Sequence, residues 1–196
     1  MTPNQLRVVE NLDTELTRLS RDTMAGISDL IRVVRREEWS LRLLLRVGNS
    51  ALYRLPKRAE TLNMLAVILG MCEFCLIATY FRVWATLTTR MAHDEAEHTM
   101  TALIRTMDYL NKARITGVMD QSEVQYTRFP HLLLLSFIGK NPEDPIESYD
   151  HHFVPVFEAV NRGDTPPTNG KFEIIPPEHV RAVLAIFQDT EKELAQ

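Results

Sequence analysis

Three groups of residues have the types and spacing that could do chemistry. Cys72-Glu-Phe-Cys75 is a C-x-x-C pair, which can cycle between dithiol and disulfide when a neighbouring charge lowers one thiol pKa. No basic residue lies within six positions of either cysteine, and apolar neighbours push thiols the other way. The pair therefore reads as two small core residues. His93-Asp-Glu-Ala-Glu-His98 contains Glu95-x-x-His98, the spacing that carboxylate-bridged di-metal bundles use. Such a centre needs a second E-x-x-H and two further glutamates. The chain has no second E-x-x-H, so the segment reads as an acidic helix start. His151-His152 point to different helix faces and make a poor chelate. The sequence contains no nucleophile elbow, phosphate loop, dinucleotide fingerprint or cysteine knuckle. No catalytic residue, metal ligand, cofactor or small-molecule substrate is assigned. A metal or redox enzyme using Cys72/Cys75 or Glu95/His98 is kept only as a second alternative.

The chemistry that remains is surface charge. The net charge is −4, which argues against a general nucleic-acid binder. Its distribution is uneven: residues 1–58 hold 11 basic against seven acidic residues, leaving −8 for the rest. Arg35, Arg36, Arg42 and Arg46 form the most basic stretch and are the expected partner-binding residues. A basic third on an acidic body suits an anionic partner or a contact between the two halves. The arginine-bearing face of residues 32–58 would meet another protein, a second copy, an anionic membrane surface or nucleic acid. The Pro-rich loop 163–170 is a second candidate contact.

These residues are positioned by helices. Thr2-Pro3 opens the first, and Val9, Leu12, Leu16, Leu19, Leu30 and Val33, with weak positions at Thr23 and Gly26, place a seam along one long helix over 3–36, whose weakest point is Ala25-Gly26. EEWSLRLLLRV (37–47) is the second. Residues 59–88 are the most apolar stretch and hold both cysteines; one charged residue, Glu73, lies between Met64 and Phe81. Apolar residues on nearly every face predict a helix buried all round. A single membrane span at 64–82 is the alternative, because about 20 apolar residues cross a bilayer. A helix from His93 to about 115 follows, with Leu103, Met107 and Leu110 inward and Gly117 as C-cap.

Beyond Gly117 eight of the ten prolines occur from Pro130 onward. Here the reading is a capping box at 120–123, a compact apolar element at 131–139, a helix from 144 to about 160 that Pro155 should kink, and one short strand in KFEII. A last helix from Pro177 has Val180, Val183, Leu184 and Phe187 inward. The expected fold is mainly α: a helical bundle built round the apolar helix at about 59–88, with a smaller, partly irregular helical C-terminal part. The domain division is placed at 1–117 and 118–196. Two cysteines make no disulfide framework, which fits the cytoplasm or another reducing compartment, with membrane association as an alternative. A non-catalytic helical interaction or structural protein is the expected function.

Overall fold

A computed structural model describes residues 3–22, 24–115, 150–166 and 175–196. Among them the protein is helical, without strands: α1 (Pro3–Arg21), α2 (Ile27–Val34), α3 (Glu38–Gly48), α4 (Leu62–Thr88), α5 (His93–Ile115), α6 (Asp150–Arg162) and α7 (Pro177–Leu194). The expected cap at Gly117, the elements at 120–123 and 131–139, the helix start at 144, loop residues 167–170 and most of KFEII lie outside the described residues. The chain divides into two compact units, residues 1–91 with 181–196, and residues 92–180. That division differs from the one drawn at 117, since α5 groups with α6 and most of α7 returns to the first four helices.

In the first unit the α1 seam is buried at Val9, Leu12, Leu16 and Leu19. The break after α1 has a local cause. Asp22 folds back, its Oδ1 accepting from the Met24 amide at 2.9 Å and its carbonyl from the Ala25 amide at 3.1 Å; such Asx turns compete with a helix. Asp29 then caps α2 by accepting from the Gly26 amide at 3.0 Å. Thr61 caps α4, its hydroxyl accepting from the Met64 amide at 3.2 Å.

α4 is the element that α1, α2 and α3 all pack against. Trp39, Phe81 and Phe187, one each from α3, α4 and α7, stack in a row with centroid separations of 5.3 and 5.9 Å. The contacts fix the directions. Trp39 meets Phe81 while Gly48 meets Leu65, so α3 and α4 run antiparallel. Phe81 meets Phe187 and Trp84 Nε1 donates to Glu191 at 3.2 Å, so α4 and α7 run parallel. Val180, Val183, Leu184 and Phe187 are buried, as the spacing predicts.

α4 departs from the expectation in two ways. Gly70 has φ 78° and ψ 163°, which breaks the helix. Val67 is 71% exposed and Ile68 40%, so the N-terminal part is not buried all round. The span read at 64–82 is corrected accordingly. Among the described residues no helix is long and apolar enough to cross a membrane. The break leaves a short first segment, and the second carries Glu73 and Arg82. From Phe74 to Leu87 most of the side chains described are covered by the protein itself.

Gly48 lies where α3 presses against α4. A Cβ there would stand 2.5 and 2.7 Å from the two terminal methyls of Leu65, which is fully buried. Gly48→Ala gains about 1 kcal/mol of helix propensity but must displace the Leu65 methyls at about 1–3 kcal/mol, so stability should fall by about 1 kcal/mol net. Urea unfolding followed by tryptophan fluorescence checks this.

In the second unit, α5 packs on α6. Ala96, Met100, Leu103, Met107 and Leu110 are buried at alternating spacings of four and three, and α6 contributes Val156, Phe157 and Val160. α6 continues through Pro155, which is exposed. Arg105 Nε donates to the Ile175 carbonyl at 3.1 Å.

Candidate functional site

The four arginines singled out in the sequence stand in two places. Arg35 and Arg36 lie in the turn before α3 and are exposed. Arg36 reaches back to α1, donating to Glu15 at 2.7 and 2.9 Å. Arg42 and Arg46 lie one turn apart on α3 and face the acidic side of α7. Arg46 pairs with Asp189 and Glu193, both at 3.3 Å, and Arg42 approaches Glu193 at 3.9 Å. All these pairs are substantially solvated, so each contributes about 0–1 kcal/mol. Their effect is to commit Arg36, Arg42 and Arg46 to acidic residues of the same chain. Arg35 makes no ion pair among the described residues.

Three further cations stand together in the segment between α3 and α4. Its two ends are pinned by one side chain. Asn49 Nδ2 donates to the carbonyls of Leu45 at 2.8 Å and Ala59 at 2.9 Å, while Oδ1 accepts from the Ala59 amide at 2.6 Å. That reciprocal pair closes residues 50–58, SALYRLPKR, into a compact loop. Loops of this length with joined ends hold their shape through their own packing and often carry function. The Ser50 amide donates to the Val47 carbonyl at 2.9 Å and the Tyr53 amide to that of Ser50 at 3.2 Å. Arg54 has φ 46°, a left-handed conformation uncommon for a non-glycine residue. Pro56 stiffens the turn further.

Arg54, Lys57 and Arg58 are exposed and make no ion pair among the described residues. Beneath them the loop, the end of α3 and one face of α7 enclose an open groove of about 480 Å3. Leu55, Ala182 and Ile186 supply its apolar surface; Arg46 and Arg58 supply charge. A second hollow of about 420 Å3, sharing Arg46, Asn49 and Arg58, reaches Glu60. Ser50 lines the groove, and its Oγ is buried without a hydrogen-bond partner among the described residues.

The other candidate groups are placed as follows. Cys72 and Cys75 lie on α4 just past Gly70, and their side chains fall outside the described ones. Glu95 and His98 are both exposed on α5. Among the described residues no three His, Cys, Asp or Glu side chains are grouped to hold a metal. Arg162, at the end of α6, is held further toward its charged form by a hydrogen bond from its Nε to Asp164 at 2.9 Å. His151 and His152 are on α6, with side chains outside those described.

Sequence reasoning marked residues 32–58 as basic but missed the pinned loop. The loop's cations, Arg54, Lys57 and Arg58, fall inside that stretch. What a local pattern cannot contain is that Asn49 holds both ends together, or that α7 neutralises the α3 arginines. Compared with known proteins, the chain matches no family model, no curated protein and no solved structure, so the site rests on its own chemistry.

Proposed function

We propose that this is a non-catalytic helical interaction protein that recognises an anionic protein partner through the loop at residues 50–58 and the end of α3. One observation carries the reading: Arg54, Lys57 and Arg58 stand exposed and unpaired among the described residues, on a loop held closed by Asn49. Arg32, Arg36, Arg42 and Arg46 on the same basic third have internal acidic partners. Leaving three adjacent cations unpaired favours an external anion, and a pre-closed loop reduces the ordering cost of binding. Steering by such a patch acts mainly on association and is screened by salt. The reading places the protein in a reducing compartment, where two thiols three residues apart stay reduced.

The test is capture of partners from native lysate by the full chain and by the R54E/K57E/R58E variant, with mass-spectrometric identification. The variant should recover the wild-type partners at least about tenfold less, given about 1 kcal/mol or more per well-placed charge reversal. Unchanged capture at low salt would remove the loop from the reading. Reversing Arg42 and Arg46 is the weaker test, because it sets four acidic groups against one another between α3 and α7.

A further inference from the structure

Resting on that reading, we infer that Asp189 and Glu193 of α7 form an autoinhibitory contact: they cover Arg42 and Arg46 of α3 and so confine anion recognition to the cations of the loop. The α3 arginines join the site only when an acidic segment of the partner takes the place of the α7 carboxylates.

The register of the helices sets up the cover. α3 runs antiparallel to α4, and α4 parallel to α7, so α3 and α7 run antiparallel. The edge of α7 that follows α3 is Ala182, Ile186, Asp189 and Glu193, spaced by three and four residues. It is apolar beside the loop and acidic further along. Asp189 and Glu193 both meet Arg46 at 3.3 Å, and Glu193 also meets Arg42 at 3.9 Å. Around the groove, Arg46 and Arg58 therefore stand against Glu60, Asp189 and Glu193. Two cations against three carboxylates repel an incoming anion. Without the two α7 carboxylates the balance reverses, and the cations run from Arg42 through Arg46 to Arg58.

Two features make this contact exchangeable. All four side chains are partly open to solvent, and solvated pairs of this kind hold weakly. One carboxylate can therefore replace another at small cost. α7 itself need not move. Its opposite face, with Val183, Leu184, Phe187 and Thr190, is buried and holds the helix while the acidic side chains swing aside. Asp189 already has a second cation beside it, Lys192 at 3.6 Å.

Fluorescence anisotropy on the full chain tests this at low salt. The probe is a labelled Gly-Ser peptide bearing a run of glutamates, with its glutamine version as the control. D189N/E193Q should bind the glutamate peptide at least about fivefold more tightly than the wild type, because like charges beside a bound anion are removed. Adding R42Q/R46Q should cancel that gain. D94N/E95Q removes the same two charges from exposed positions on α5 and should change affinity less than about twofold, since screening confines the effect to nearby charges. E193Q alone, which leaves the Asp189 pair in place, should show part of the gain and serves if the double variant is unstable. An equal gain in D94N/E95Q would overturn the inference, as would a gain that survives R42Q/R46Q or one shared by the glutamine peptide. So would unchanged binding with lowered thermal stability, which is what a purely structural strut between α3 and α7 would give. If D189N/E193Q gains nothing while R54E/K57E/R58E loses partner capture, the cover falls and the broader reading stands. If capture survives R54E/K57E/R58E, both fall.

Discussion

Phe81→Ala should lower the stability of the first unit by about 3–5 kcal/mol, the range for emptying a large aromatic site in a packed core. Phe81 is 1% exposed and lies between the rings of Trp39 and Phe187. It therefore joins α3, α4 and α7 at one point. Removing the ring costs the transfer of its own surface and two tilted aromatic contacts worth about 0.5–1.5 kcal/mol each. The walls of the resulting cavity belong to three different helices, so collapse would have to move all three. The measurement is favourable because both tryptophans, Trp39 and Trp84, are buried in the first unit. Their fluorescence follows that unit's unfolding whatever the second unit does. A midpoint shift equivalent to less than 1 kcal/mol would mean that the aromatic row is not the centre of this core. Ile68→Ala is the control: at 40% exposure it should cost well under the core value.

Much of the helical architecture was legible because helices write their buried face into the sequence at short range. The α1 seam, the α5 stripe at Leu103, Met107 and Leu110, and the inward face of α7 were all read from spacings of three and four, and all are buried. Such positions need only one fact about the rest of the chain: that something apolar covers them. Choices between partners were not legible. Arg46 meets Glu193 across 147 positions of sequence, and nothing in either local pattern selects the other. The groove depends on that choice, since α7 supplies both the acids that occupy the α3 arginines and the Ile186 wall. Asn49 was unreadable for a different reason. Its spacing from Ala59 carries no periodicity, and its role appears only where Ala59 is brought beside the end of α3.

Gly70 shows where averaging along a sequence misleads. Residues 60–88 read as one apolar helix because composition is uniform across them, yet the backbone turns at the single glycine. At φ 78° and ψ 163° this residue occupies a region that is essentially closed to side-chain-bearing residues. An alanine Cβ would meet no heavy atom within 4 Å, so sterics with neighbours play no part and the cost is local conformational strain. Gly70→Ala should therefore destabilise the first unit by about 1–3 kcal/mol. The sign is what decides. In an unbroken helix the same substitution would stabilise by about 1 kcal/mol, because alanine is the better helix former and loses less backbone entropy. The two geometries thus predict results separated by about 2–4 kcal/mol. Urea unfolding by tryptophan fluorescence reads the difference directly, and a gain in stability would show α4 to be continuous.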